Sequence, residues 1–166
     1  MTRSRLPLPV VRMVQIVGGA ALVLLTAGTL MITVFRTKWP PAIDAIRRFN
    51  RTVLNPAMLR KAGSKNWYAS VVHHVGRKSG RQYATPVVTE AVGDRLYIPL
   101  PYGARTEGSE NVLAAGGCTI ESQGERIEAT SPVIVPAEEA SAVLSARSRR
   151  VLRLYGIDSY LRLDRA

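Results

Sequence analysis

The stretch that decides the fold runs from Ala69 to Val88 and reads ASVVHHVGRKSGRQYATPVV. Its first seven residues, Ala69 to Val75, form an apolar run that predicts a buried strand. Val87 and Val88 begin a second apolar run. Gly76 and Gly80 bracket the loop between the runs, and glycine allows the positive φ angles that a tight turn requires. The pattern therefore predicts two strands joined by a short, polar hairpin loop.

The loop itself has the chemistry of an anion-binding site. Three cations and a hydroxyl lie within five residues, at Arg77, Lys78, Ser79 and Arg81. Guanidinium, ammonium and hydroxyl groups bind phosphate and carboxylate, and a glycine-bracketed turn also exposes backbone amides. A basic hairpin tip that only contacts water is the alternative that composition leaves open.

Together with the sequence that follows it, this loop resembles one family of redox proteins. The segments HVGRKSGRQYATPVV, LYIPLPYG and ENVLAAGG are similar to the deazaflavin (F420)-dependent nitroreductase/quinone reductase family, over roughly residues 54–135. The resemblance implies a mainly β (α+β) fold, a small split β-barrel with peripheral helices. It also implies an oxidoreductase that transfers a hydride from reduced coenzyme F420 to a quinone or a nitro compound.

The resemblance further implies a cofactor site, position by position, with no catalytic side chain and no metal. Arg77, Lys78 and Ser79 would hold the phosphate, with Arg81 or Lys65 near the acidic tail. The residues that would lie along the ring are Tyr83, Ala84, Thr85, Pro86, Val87 and Val88 on one side, Pro99, Leu100, Pro101 and Tyr102 on the other, and Asn111 through nearby backbone amides. Tyr155 and Tyr160 match substrate-covering tyrosines weakly, and packing at a helix end is the alternative. Gly108 stands where relatives commonly carry a tryptophan, a departure that bears on turnover and on the choice of acceptor.

Charge and cysteine content limit the possible partners. The net charge is +11, and residues 45–89 hold nine Lys or Arg and no Asp or Glu. This balance favours an anionic partner, while the absence of an aromatic-rich RNA-binding strand disfavours nucleic acid. Cys118 is the one cysteine, so no internal disulfide can form, and we expect it to be a buried core residue.

The N-terminal part predicts a membrane anchor. Met13 to Phe35 contains no charged residue, and as a helix of about 35 Å it is long enough to cross a hydrocarbon core of about 30 Å. Its apolar core is longer than that of a signal peptide. More cations follow the segment than precede it, which favours a single-pass protein of the cell membrane with a cytoplasmic catalytic domain. Anchoring would suit a lipid-soluble acceptor, for example menaquinone.

The predicted organisation has three parts: residues 1–38 with the transmembrane helix, a helical connector over 39–66, and a split β-barrel cofactor-binding domain over 67–166. Apolar spacing predicts a helix from Ala42 to Leu54, which would either lie on anionic lipid or pack on the barrel. A short helix from Ala57 to Ala62 would have Asn55 as its N-cap. The predicted later elements are strands at Tyr68–Val75, Gln82–Ala91, Leu96–Leu100, Thr119–Gln123 and Ile127–Val135, a helix at Glu107–Ala115, and one C-terminal helix from Pro136 to Tyr155.

Other chemistries have less support in the sequence. His73 and His74 would face opposite sides of a strand, so they cannot chelate one metal as a pair. We expect one to face the core with a backbone partner and the other to face the ligand groove, with an acid/base role open. Motifs of hydrolases, NTPases and Rossmann folds are absent. An FMN-binding split barrel and a membrane-tethered binding module without turnover both remain as alternatives.

Overall fold

The computed structural model of this chain describes residues 8–166, with the side chains of residues 8–16, 18 and 21 outside the description. The first helix, α1, extends over Leu8–Thr37. It contains the predicted anchor, Met13 to Phe35, although the side chains of the first anchor residues are not described. Within the described part of the chain, no single helix has the length and hydropathy of a membrane span, although two helical stretches bent by 117°, Leu22–Thr37 and Pro40–Leu59, meet these criteria together.

The connector is one continuous helical path with a change of pitch. Helix α2 (Pro40–Phe49) passes into a π-helical segment (Asn50–Leu54) and then into α3 (Asn55–Leu59). The predicted N-cap role of Asn55 is wrong, because Leu54 and Asn55 both have right-handed helical angles and no side chain caps α3. Proline at Pro56 is compatible with this path, since its missing amide falls within the first turn of α3.

A single antiparallel sheet of seven strands forms the body of the protein. The strands are β1 (Ser70–Val75), β2 (Gln82–Val87), β3 (Glu90–Val92), β4 (Arg95–Pro99), β5 (Gly117–Ser122), β6 (Glu125–Pro136) and β7 (Ser159–Arg165). Their order is β2-β1-β5-β6-β7-β4-β3. The two edge strands, β2 and β3, are separated by only Val88 and Thr89, so the sheet must curl until its edges approach each other. This curled, unclosed sheet with peripheral helices fits the α+β split-barrel architecture expected from the sequence.

One predicted strand is two strands in the structure, and one strand was not predicted. The predicted strand Gln82–Ala91 is two strands, because the chain leaves β2 after Val87 and enters β3 at Glu90 on the opposite edge. Strand β7 was not predicted, although Leu161 and Leu163 alternate with Arg162 and Asp164 and face the core. The chain turns at Gly93-Asp94 between β3 and β4, where Gly93 has a φ of 59°, and at Gln123-Gly124 between β5 and β6.

The remaining helices pack on this sheet. Helix α4 (Glu107–Ala115) lies against β1, β5 and β6. The predicted single C-terminal helix is two, α5 (Ala137–Val143) and α6 (Ala146–Tyr155). The break occurs because Leu144 is extended and buries its side chain, while Ser145 caps α6 by accepting a hydrogen bond from the Ser148 amide.

The main core lies inside the curled sheet. It contains Val72, Leu96, Ile98, Leu100, Val112, Ile120, Ile127, Ala129, Leu161 and Leu163. A second cluster, built around Tyr97, Val135, Leu144 and Tyr160, fills the space between the sheet and helices α5 and α6. The sheet therefore has a buried interior and one face covered by the C-terminal helices.

We predict that Leu163→Ala lowers the free energy of unfolding by about 2–5 kcal/mol, since its side chain is 0% exposed in the main core and would leave a cavity. Urea denaturation of the detergent-solubilised protein measures this change. Val133→Ala is the matched control, because Val133 lies on the neighbouring strand β6 and is 42% exposed. Equal losses in both variants would contradict the assignment of the core.

Candidate functional site

The loop between β1 and β2 is held in one conformation by its own backbone. The Gly76 amide donates to the Arg81 carbonyl at 2.8 Å, and the Gly80 and Ser79 amides donate to the Gly76 carbonyl at 2.8 and 3.2 Å. A Cβ on Gly76 would lie 2.6 Å from Ser79 Oγ and 2.8 Å from the Tyr83 ring, so a larger residue there would require these side chains to shift. The loop is thus a preformed turn.

Arg77 ties this loop to α4. Its backbone N–H and its guanidinium both donate to Asn111 Oδ1, at 3.1 and 3.0 Å. The same guanidinium donates to Glu107 Oε2 at 2.7 Å and also to Glu110. The hydrogen bond from Arg77 lowers the pKa of Glu107, and the hydrogen bond to Glu107 raises the pKa of Arg77, so both groups stay charged near neutral pH. Arg77 is therefore engaged by protein carboxylates, and its role of holding a cofactor phosphate stays a prediction.

Asn111 has its orientation set by these contacts. Because Arg77 donates twice to Oδ1, the amide nitrogen of Asn111 points the other way, and Nδ2 lies 3.3 Å from His74 Nδ1. An amide nitrogen only donates, so His74 Nδ1 must be the acceptor and carry no proton. The ring proton then belongs on Nε2, which lies 3.1 Å from Thr85 Oγ1. The contacts thus assign His74 as a neutral imidazole.

His74 is buried beneath the loop. Its ring stacks on Tyr83 at 5.6 Å between centroids, with an interplanar angle of 21°. Burial, and to a lesser degree the neighbouring His73, lowers the pKa of His74. A Cβ on Gly108 would lie 3.8 Å from His74 Nε2, so this position of α4 faces the histidine. His74 is the core-facing histidine that the sequence led us to expect, but its partners are the Asn111 and Thr85 side chains instead of backbone.

His73 points to the outer face of the sheet. Its Nε2 lies 3.1 Å from Glu121 Oε1, although the alignment does not make this a hydrogen bond. Glu121 also lies 3.5 Å from Arg126, so the pair belongs to a cross-strand charge ladder. The structure does not bring His73 to the loop.

Lys78, Ser79 and Arg81 form the solvent-facing side of the turn. All three residues are exposed, and among the described residues neither Lys78 nor Arg81 forms an ion pair. Ser79 Oγ lies 3.4 Å from the Tyr83 hydroxyl. The Arg81 amide also donates to Ser79 Oγ at 3.4 Å, so Lys78 and Arg81 are the residues whose side-chain charges are free for a ligand.

Strand β2 brings the predicted ring-contact residues onto two faces. Tyr83 and Thr85 lie on the same face as their partner His74, and Val87 on that face packs against the main core. Ala84 and Pro86 face the other side, and Val88 is exposed just after the strand. Since β2 is an edge strand of the sheet and α3 packs against it, only part of this predicted wall is accessible.

The other predicted wall, Pro99 to Tyr102, is covered by the N-terminal helices. Leu100 is buried in the main core. The Tyr102 ring lies 5.6 Å from the Phe35 ring, the Arg47 guanidinium lies 5.6 Å from its centroid, and its hydroxyl accepts a hydrogen bond from Asn50. Burial raises the pKa of Tyr102. Gly103 to Thr106 then connect this segment to α4, whose first turn holds Arg77.

The two C-terminal tyrosines lie away from the loop. Tyr155 makes an edge-to-face contact with Phe35 at 5.6 Å. Tyr160 is buried in the second core cluster, and burial raises its pKa. Both tyrosines pack at the ends of structural elements, which is the alternative that the sequence left open for them.

Two open grooves lie on either side of α4. One, of about 360 Å³, is lined by residues of β1, β5 and β6 that include His73, Cys118 and Glu128. The other, of about 520 Å³, is lined by Arg105, Glu110, Leu113 and the β6 segment Pro132–Ile134. Glu110 belongs both to this second groove and to the Arg77 contacts, so the groove adjoins the loop.

Cys118, the one cysteine of the chain, lies on β5. Burial, with a smaller effect of Glu128, raises the pKa of Cys118 to about 12, so its thiol stays protonated. Cys118 is half-buried against the main core, close to the expectation of a core residue. Within residues 8–166 no cluster of metal-binding side chains occurs among the groups described.

Sequence reasoning missed the partners that organise the site. Glu107 and Glu110 are spaced three residues apart on α4, so both side chains reach Arg77 from one helix face. Asn111 was expected to contribute through backbone amides, but its side chain makes the contacts. The acidic pair in the first turn of a predicted helix was the available signal, since it must find a cation or interact with the helix dipole.

Comparison with known proteins adds likenesses of architecture. No protein-family model and no curated protein matches the chain. A solved F420-H2 dependent reductase (FDR-A) has a TM-score of 0.45 and 12% identity, covering 58% of this chain and 94% of that chain. A putative pyridoxamine 5'-phosphate oxidase from Listeria innocua has a TM-score of 0.45 and 11% identity, covering 66% and 89%. A structure described as F420 reductase has a TM-score of 0.43 and 8% identity, covering 60% and 86%.

We predict that His74 makes stability pH-dependent. Its pKa in the folded protein is below the usual value of about 6.5, so the unfolded chain takes up the proton first. The stabilisation is complete above pH of about 6.5 and is lost as the pH falls from there through the folded pKa. Urea denaturation between neutral and mildly acidic pH measures this loss.

A His74→Gln variant is the control for this prediction. Its amide can accept from Asn111 and donate to Thr85 without titrating, so the loss of stability below neutrality should become smaller. His73→Gln, on the outer face, should leave the loss unchanged. An unchanged pH dependence in His74→Gln would contradict the assignment.

Proposed function

We propose that this protein is an oxidoreductase that transfers a hydride from reduced coenzyme F420 to a lipophilic acceptor such as a quinone or a nitro compound. One observation carries the proposal. Arg77 ties the Gly76–Arg81 turn to α4 through hydrogen bonds, while the side chains of Lys78 and Arg81 stay exposed and available. A turn that is preorganised and cationic binds an anionic ligand without first losing conformational entropy.

The residues of the turn fit the anionic part of this cofactor. A phosphate and an acidic tail require cations, a hydroxyl and exposed amides, and the turn supplies Lys78, Arg81 and Ser79 beside a glycine at Gly80 with a φ of 65°. The bound cofactor supplies the hydride chemistry, so the protein needs to bind and orient it. We assign Arg77 a positioning role, because its guanidinium is already occupied by Glu107 and Glu110.

The accessible part of β2 is our candidate for the ring contact. Tyr83, Thr85 and Pro86 are half-buried or partly exposed next to the turn, and β2 offers unpaired backbone groups on its outer edge. His74 lies directly beneath as a neutral donor to Thr85, so it orients this hydroxyl without adding charge. Pro99 to Tyr102 would contribute mainly by linking the N-terminal helices to the site.

We also propose that α1 holds the protein on a membrane, with the barrel on the cytoplasmic side. The support is the exposed apolar surface of α1, which includes Leu22, Leu24, Leu25 and Leu30. The hydroxyls of Thr29 and Thr33 donate to carbonyls one turn earlier, so these residues also satisfy their polar groups within the helix. A lipid-dissolved acceptor such as menaquinone would then be concentrated near the barrel.

A titration of the detergent-solubilised chain with reduced F420, followed by its absorbance, tests the proposal. We predict that Lys78→Ala/Arg81→Ala raises the dissociation constant at least roughly tenfold, because each charge-assisted hydrogen bond contributes about 1.5–3 kcal/mol before solvent screening. Stability should stay unchanged, since both side chains are exposed. Arg77→Ala should lower both affinity and stability, because it leaves Glu107, Glu110 and Asn111 without their partner.

Arg126→Ala is the matched control, since Arg126 is an exposed cation on the outer face of the sheet. An unchanged dissociation constant in the Lys78/Arg81 double variant at moderate salt would refute the anion site. Adding menaquinone or a nitroaromatic should then oxidise the bound cofactor. Binding of FMN in place of F420 would favour the flavin alternative, and binding without oxidation by either acceptor would favour a module without turnover.

A further inference from the structure

Exposed apolar and cationic side chains lie on α2 and α6, the two helices that contact the C-terminal part of α1. We propose that these side chains, which we call the collar, are a docking surface for an anionic lipid bilayer. The collar has an α2 side and an α6 side. The proposal rests on the membrane location proposed above and adds to it a specific surface of the barrel.

The α2 side of the collar consists of Trp39, Phe49 and Val53 with Arg48 and Arg51. Trp39 and Phe49 are 59% and 56% exposed, and Val53 is 54% exposed, so three large apolar side chains along this helical stretch face away from the barrel. The opposite side of α2 faces the barrel, where Ile43 is buried and Arg47 and Asn50 contact Tyr102. The helix therefore packs on the barrel and still presents an apolar stripe flanked by arginines.

The α6 side of the collar consists of Val151 and Leu154 with Arg147 and Arg150. The two apolar residues are 43% and 47% exposed, and both arginines are exposed. The inner side of α6 is fully engaged, because Leu152 and Tyr155 pack against the second core cluster and Ser148 binds Glu90. This amphipathic helix, with arginines interleaved with apolar residues, has the composition of helices that lie in a membrane interface.

The end of α1 joins the two sides. Its Phe35 ring packs between Tyr102 and Tyr155, and the Arg36 guanidinium donates to the Arg153 carbonyl of α6 at 2.8 Å. Lys38 pairs with Asp158 just beyond α6. Because these contacts fix α1 to the barrel, the orientation of α1 in a bilayer would also fix the depth of the collar.

The direction of the helices agrees with this arrangement. The axis of Pro40–Leu59 is bent by 117° from that of Leu22–Thr37. If α1 runs along the membrane normal, Pro40–Leu59 is therefore inclined by about 27° (117° minus 90°) to the membrane plane at the point where α1 leaves the hydrocarbon. Trp39 then falls at headgroup depth, where tryptophan is enriched in membrane proteins.

The positive charge of the collar favours an anionic bilayer as its binding partner. Two carboxylates beside the collar are paired with cations, Asp44 with Arg47 and Asp158 with Lys38. A third, Glu90, accepts hydrogen bonds from the Ser145 amide and the Ser148 hydroxyl at the start of α6. Among the described residues, Arg48, Arg51, Arg147 and Arg150 have no carboxylate partner. A bilayer with anionic headgroups satisfies both the arginines and the apolar side chains between them, and each cation near such a surface adds to the attraction.

The full chain in lipid nanodiscs tests the collar. In a Trp67→Phe background Trp39 is the one remaining tryptophan, so its fluorescence reports on contact with brominated acyl chains. We expect strong quenching of Trp39, and slower hydrogen exchange of the α6 amides in discs that contain phosphatidylglycerol than in discs of phosphatidylcholine alone. Arg147→Glu/Arg150→Glu should abolish the slower exchange, whereas Arg95→Glu/Arg126→Glu, with the same change of charge outside the collar, should retain it.

Several results would overturn the proposal. They are an unquenched Trp39, α6 exchange that does not depend on anionic lipid, and α6 protection in detergent that grows with protein concentration and so marks a second copy of the chain. Slow hydrogen exchange of the α1 amides together with an unquenched Trp39 would support the membrane anchor and contradict the collar. Binding of reduced F420, measured on the same samples, separates this question from the proposed reaction, because the collar does not include the turn at Gly76–Arg81.

Discussion

The hydrogen bonds from Arg77 to the Asn111 side chain are the constraint on which the candidate site depends. One oxygen accepts from both the backbone and the guanidinium of Arg77, at 3.1 and 3.0 Å, and thereby joins the β1–β2 turn to α4. The same contacts orient the Asn111 amide toward His74 and so decide which imidazole nitrogen carries the proton. A polar chain from Glu107 to Thr85 therefore fixes the turn, while the neighbouring cations remain free to bind.

These contacts give the three cations of the turn different roles. Arg77 is 22% exposed at its side chain and is paired with two carboxylates, so replacing it would leave several polar groups without partners. Lys78 and Arg81 face solvent and have a small role in stability. One arginine thus builds the site, and the adjacent residues are available to a ligand.

At the other end of the barrel, Phe35 has a similar organising role for the N-terminal helices. Its ring contacts Tyr102 in the segment before α4 and Tyr155 in α6, so it joins α1 to both of these elements. Tyr102 and Tyr155, which the family resemblance assigns to the ligand site, thus pack where α1 meets the rest of the protein. Tyr102 is the point where this junction and the approach to α4 meet, because Gly103 to Thr106 follow it directly.

Local pattern was sufficient for the turn at Gly76–Arg81, most strands and α4, since alternation, glycines and capping residues act over a few positions. It missed β7, whose pairing partners β4 and β6 are distant in sequence, and it joined β2 to β3, which lie at opposite edges of the sheet. The charges of Arg77, Glu107 and Glu110 were visible in the sequence, but their pairing was not, because it depends on α4 folding back over β1. The sequence by itself determined which groups can bind an anion. Only the tertiary structure decided which of them the protein uses for itself, since that depends on distances between residues about thirty positions apart.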